Sequence, residues 1–191
     1  MLLLVLILAG YFTRIQGQPC DCQWPVDVTI LHLGSMQALS SDSRMKNLSD
    51  SLRKKPGPMI TLAPGVVETP YMIKKMGQGN RIVFISVPAD GIAGEEAAVN
   101  DAMQYSRFKE KAAIVAVSSM STEGNILLAR RMPQLDLIVG SGPWSGPDTL
   151  TVNGVLIARS GDGISTAGEV FLRLSKGRVI FRKAGMIPVA R

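Results

Sequence analysis

The chain has 191 residues, 46% of them hydrophobic, with 21 Lys+Arg against 15 Asp+Glu and a formal net charge of +6. That length and apolar content fit one globular domain and exclude a disordered chain, and no run of about 20 apolar residues is present to build a polytopic membrane protein. One histidine and two cysteines exclude multi-histidine zinc sites, bis-histidine haem ligation and Cys₄ clusters within this chain, and no C-x-x-C-H offers covalent haem attachment.

Met1–Phe12 reads MLLLVLILAGYF, too short to span a bilayer of roughly 30 Å but of the length of a signal-peptide h-region, although no Lys or Arg precedes it. Gly17 is small enough to precede a cleavage point. Residues 1–17 therefore read as a signal peptide, 18–25 as a cysteine-containing tether and 26–191 as a single domain. Export to the periplasm, cell surface or extracellular space follows from this reading. The alternatives are an uncleaved short anchor, which would supply the chain's only membrane contact, and a buried N-terminal element. Cys20 and Cys22 could close only a very tight, strained ring, and Gly17-Gln18-Pro19 is a poor approach for lipid modification. A link to another chain, a pair of free thiols and a tether without chemistry stay open, with export favouring oxidation.

Val26–Leu33 is β-branched and largely apolar and predicts a buried strand. Ser40–Lys55 is polar with Met45, Leu48 and Leu52 at helical spacing, a solvated helix stopped by Pro56. Met59–Leu62 is a short strand, and Tyr71–Met76 with Arg81–Val87 flank a Gly-rich turn as a hairpin. Glu95–Lys111 predicts the chain's best helix, acidic at its start and basic at its end. Ala112–Val117, Thr122–Met132 and Leu135–Val139 read strand, helix, strand, so a parallel sheet forms the core. Val155–Arg159, Glu169–Leu174 and Arg178–Arg182 then read as three alternating strands. No internal repeat or low-complexity tract is present.

These residues resemble the 5′-nucleotidase branch of the calcineurin-like metallophosphatases. Val28-Thr29-Ile30-Leu31-His32 is similar to its opening strand, which continues Thr-Asn-Asp-x-His-Gly. Pro70–Lys75 and Arg81–Val87 look like its later strand pair, and Ala113–Ser119 falls where the family has a strand ending in Ser-His. Pro133–Gly140 resembles the segment leading into Gly-His-x-His, and Leu156–Gly161 with Gly168–Leu174 resemble its closing hairpin. The resemblance implies an α/β layered sandwich of mixed sheets flanked by helices. It also implies a two-metal phosphoesterase centre, which here lacks its ligands. Position by position, the first Asp falls on Ser35, its partner His on Gln37, the Ser-His histidine on Ser119, and the paired histidines on Gly142 and Trp144. Pro64-Gly65-Val66 carries no carboxylate where a second-metal Gly-Asp is expected, and the stretch holding Asn-His-Glu is absent. His32 matches a histidine that is not a ligand in the family. The implied cofactor complement is therefore none, and no metal site is assigned.

Other chemistry is thinly supported. Ser35 stands three residues from His32, but Gly142–Gly146 has its serine in the fourth place and is no nucleophile elbow, so His32 reads as a satisfied core histidine. Asp90, Glu95, Glu96, Asp101, Asp136 and Asp162 are too scattered to form an acid–base pair, and Gly161-Asp162-Gly163 is a turn. Trp144, in a Gly/Pro loop at the end of a buried strand, either stacks on a ligand or fills the space of the lost metals. Lys176, Arg178, Arg182, Lys183 and Arg191 make a basic C-terminal face with no acid after Glu169. That face either meets an acidic partner or phospholipid surface or simply blunts a sheet edge. Only Phe181 lies among these charges, too few aromatics for the base stacking that single-strand binders require, which argues against nucleic acid. The expectation is a non-catalytic exported protein that binds another protein or itself, with Trp144, Cys20, Cys22, Arg178, Arg182 and Lys183 as contact candidates. The alternatives are a residual metal-dependent phosphoesterase and an accessory subunit of a secreted or redox complex linked through Cys20 or Cys22.

Overall fold

The computed structural model describes residues 25–34, 43–55, 57–63, 71–89, 112–161 and 165–189, with positions 100 and 104. In chain order the elements are β1 (Val26–His32), α1 (Ser43–Leu52), β2 (Met59–Leu62), β3 (Tyr71–Gly77), β4 (Asn80–Val87) and β5 (Ala113–Ser118). They continue with α2 (Thr122–Arg131), β6 (Leu137–Gly140), β7 (Thr149–Val152), β8 (Val155–Arg159), β9 (Thr166–Ser175) and β10 (Arg178–Pro188). The predicted signal peptide and almost all of the tether, Cys20 and Cys22 included, lie outside the described residues. So does the predicted helix Glu95–Lys111, apart from Asn100 and Gln104, which are helical and exposed.

The strands form two mixed sheets, one ordered β10-β9-β1-β2 and the other β3-β4-β5-β6-β8-β7. In the larger sheet β4, β5, β6 and β8 run parallel, as the strand–helix–strand pattern predicts. The sheets face each other across a core of Val28, Ile30, Phe84, Val115, Val139 and Leu172, among others. On the outer side of the larger sheet, Leu128 and Ala129 of α2 pack with Ile85, Ile114 and Ile138. On the outer side of the smaller one, Leu48 and Leu52 of α1 pack with Leu31, Leu33 and Ala167. The result is the expected layered α/β sandwich. Each fully buried side chain of this size stabilises it by roughly 1.5–3 kcal/mol. No helix among the described residues is long and apolar enough to cross a membrane.

Local chemistry explains the element ends. Ser121 caps α2 by accepting the Gly124 N–H at 3.2 Å, Glu123 sits in its first turn, and Arg130 and Arg131 occupy its last. Three hairpins turn on a non-glycine residue followed by glycine, both at positive φ: Gln78-Gly79, Asn153-Gly154 and Lys176-Gly177. That geometry matches strand twist, and Asn-Gly is its strongest sequence signal.

Three strand expectations are corrected. Val155–Arg159 is not an alternating strand: Val155, Leu156, Ile157 and Ala158 are all buried, because β8 lies inside the parallel sheet and is covered on both faces. Its hairpin partner β7, signalled by Asn153-Gly154, is not among the predicted strands. β10 runs on to Pro188, pairing with β9 through a bulge between Val179 and Phe181.

Candidate functional site

In layered α/β folds, ligands meet the carboxyl ends of the strands. Here β1, β4, β5, β6 and β8 end side by side, and their tips are joined by hydrogen bonds. The Ser119 N–H donates to Val87 O at 2.8 Å, Ser141 N–H to Ser118 O at 2.7 Å and Ser160 N–H to Gly140 O at 2.7 Å. Gly34 N–H donates to Gly161 O at 2.8 Å, closing the two sheets against each other at this crest.

His32 alternates with Val28 and Ile30, so its ring enters the space between the sheets, where the residue is 1% exposed. Gly168, its register partner on β9, makes room: a Cβ there would sit 2.0 Å from His32 Cε1. Nδ1 meets the Ser160 hydroxyl at 3.4 Å, the long limit of a hydrogen bond, and Nε2 has no partner among the described residues. Burial pushes the imidazole pKa down to about 3, so the ring is neutral at physiological pH. The ring is in the core as expected, with one hydrogen-bond partner among the described residues. Neither Ser160 nor Gly168 stands out in the sequence, because only sheet register brings them to His32.

Ser35 and Gln37 lie outside the described residues. Ser119 is half-buried at the tip of β5. Gly142 is packed so closely that a Cβ would lie 2.3 Å from the carbonyl oxygens of both Ser119 and Met120, so no histidine fits on this backbone. Trp144 packs over Gly140 against the α2-side core, and its indole N–H donates to Pro147 O at 2.9 Å. The loop is also tied to α2: Ser145 N–H donates to Thr122 Oγ1 at 2.8 Å, and Ser145 Oγ–H to Glu123 Oε1 at 3.0 Å. Hydrogen bonds to Glu123 from backbone and from the Ser145 and Ser121 hydroxyls hold its carboxyl below the usual range. Asp136, one of the scattered acids, is structural: it accepts the Ile114 N–H at 2.9 Å at the start of β5, and burial raises its pKa.

The basic C-terminal residues divide. Arg178 and Lys183 are exposed on β10, and Lys176 is exposed in its turn. Arg182 instead reaches across to the other sheet and donates to Asp136 O at 2.7 Å and to Gly154 O. Arg191 lies outside the described residues.

The family resemblance implies a two-metal centre, and at the matched positions that the structure describes the residues do not supply its ligands. The enclosed imidazole, the crowded Gly142, an indole N–H already engaged and a serine hydroxyl are not a ligand set for such ions. Among the described residues no three of His, Cys, Asp and Glu come together to hold an ion.

No protein-family model and no curated protein matches the sequence. Solved structures do. A 5′-nucleotidase precursor of Thermus thermophilus superposes with a TM-score of 0.60 at 12% identity, over 87% of this chain and 55% of that one. The NAD nucleotidase of Haemophilus influenzae gives 0.57 at 12%, over 86% of this chain and 57% of its own. The sulfate thiohydrolase SoxB of Thermus thermophilus gives 0.53 at 18%, over 80% and 31%. The chain thus spans between about a third and just over half of these proteins. Its fold is that of the 5′-nucleotidase-like metallophosphatases.

Proposed function

We propose that this chain is a non-catalytic protein on a metallophosphatase-like fold, exported to the bacterial envelope or the extracellular space, where it binds another protein. The observation that carries this reading is the position of its one imidazole. His32 is shut between the sheets over Gly168, neutral and turned away from solvent, at the strand ends where the chemistry of such folds is done. The neighbouring loop supports it, since the indole N–H of Trp144 is spent within the loop on Pro147 O and the polar groups of Ser145 hold the loop to Thr122 and Glu123 of α2. Export is supported by the apolar run Met1–Phe12 ahead of Gly17.

The test is turnover of a generic phosphate monoester by purified protein supplied with manganese or zinc. The expected result is no hydrolysis above the metal-only control. Turnover that disappears on adding a chelator, and survives repurification, would overturn the proposal and establish a residual phosphoesterase.

A further inference from the structure

Among the described residues β10 is the outermost strand of the smaller sheet, with β9 on one side only. It has 11 residues, against 4 in β2, 7 in β3 and 4 in β7, the other edge strands. An unpaired edge of that length presents a row of backbone donors and acceptors ready to pair with another chain. Its side chains are unusual too. Ile180 is 55% and Phe181 49% exposed, two of the three large exposed hydrophobic residues among those described. The bulge between Val179 and Phe181 leaves Ile180 without a register partner, which brings both apolar side chains into the open. Phe181 meets Phe171 edge-on at 6.0 Å between ring centres. Phe171 in turn borders a shallow hollow of about 260 Å³ with Lys183 and Gly185. A Cβ on Gly185 would meet nothing within 4 Å, so the hollow's floor is open.

The charges on β10 itself have one sign, although Glu169 of β9 also lines the hollow. Arg178 and Lys183 flank Ile180 and Phe181, and no acid occurs in β10. The nearby acids are already neutralised: Asp27 by Arg173 at 2.6 and 2.9 Å, and Glu169 by Lys55. A second copy of the chain pairing through β10 would set cations beside cations. An incoming strand with carboxylates at alternate positions would meet complementary charge.

We propose that β10 is a docking edge for an extended acidic segment of a partner protein. That segment adds a strand beside β10, sets its carboxylates against Arg178 and Lys183 and places an apolar side chain against Phe171 and Phe181. Main-chain hydrogen bonds supply the affinity and the cations set the register. This names the partner class of the binding role proposed above and rests on it. The two fail separately, because ester turnover would leave peptide binding at β10 intact.

The experiment is fluorescence-anisotropy titration of the full chain with a labelled peptide alternating valine and glutamate around one phenylalanine. Saturable binding is expected, weakened at least about tenfold in an Arg178→Glu/Lys183→Glu variant and unchanged in Lys74→Glu/Lys75→Glu on β3. On the unaltered chain, bound peptide is expected to slow amide exchange along β10, which keeps the test decisive if the double variant misfolds. The proposal is overturned by absent binding, by equal affinity for a scrambled peptide of the same charge, or by protection elsewhere than β10. A concentration-dependent dimer that competes with the peptide also overturns it and makes a second copy the occupant.

Discussion

Acidification gives a direct test of where His32 sits. Its folded-state pKa is about 3 against an ordinary value of 6.5. Above pH 6.5 the ring is neutral in both states and stability does not depend on it. As pH falls below 6.5 the unfolded chain takes up a proton that the folded chain refuses, so stability is lost until pH reaches about 3. Each pH unit in that window is worth about 1.4 kcal/mol, which gives roughly 3 kcal/mol between pH 6.5 and about pH 4.5 and about 5 kcal/mol over the whole interval. That is a large share of the roughly 5–15 kcal/mol that keeps a domain folded. The window is clean because the chain has no second histidine. Over its upper part, from pH 6.5 to about 4.5, an ordinary carboxylate stays largely ionised; the pKa of Asp136, raised by burial, acts in the opposite direction. The assay is urea unfolding at a series of pH values on the unaltered chain and on His32→Gln. The unaltered chain is expected to lose stability down the series, and the variant to be nearly flat. Identical pH profiles for the two proteins would refute the reasoning, since the imidazole would then be charged in the fold or equally solvated in both states.

Gly168→Ala drives a methyl group into the His32 ring and is expected to lower stability by about 1–3 kcal/mol, with part of the loss recovered when His32→Ala is added; additive effects in thermal unfolding would show that the two residues do not touch. Asn80 is buried at the opposite end of the sandwich and accepts the Gly177 N–H at 2.9 Å, tying the β3–β4 turn to the β9–β10 turn across the sheets. Asn80→Ala leaves that N–H unpaired and is expected to cost about 1–3 kcal/mol. An unchanged urea midpoint would count against the tie.

Much of the fold is legible in the sequence because its signals are local. Val26–His32 is β-branched and largely apolar and Ala113–Val117 is a continuous apolar run, and such segments read as buried strands. Ser121, Glu123 and the arginine pair mark both ends of α2 within a few residues. β7 escapes a sequence reading although Asn153-Gly154 announces its hairpin, because Thr149–Val152 is short and only moderately apolar. The same rule covers β8, which is not an alternating strand: Val155-Leu156-Ile157-Ala158 is itself a continuous apolar run, the mark of a strand covered on both faces. The candidate site is legible only in its residue types. Where Trp144 packs, that Gly142 has no room for a side chain, and that Arg182 crosses to Asp136 and Gly154 all depend on loops and strands far apart in the chain.

One histidine in 191 residues determined, before any fold was known, that this chain cannot build a multi-histidine metal centre, because ligand count is a property of composition. Local pattern likewise determined the parallel core and most strand and helix positions. Only the tertiary structure decided what became of that histidine. Strand alternation turns it inward, register sets Gly168 beneath it, and the closing of two sheets brings Ser160 to its edge from a position 128 residues away. The same packing left β10 at the rim with Ile180 and Phe181 uncovered. Register and layer order arise from contacts between distant segments, so they appear only when the whole chain is folded.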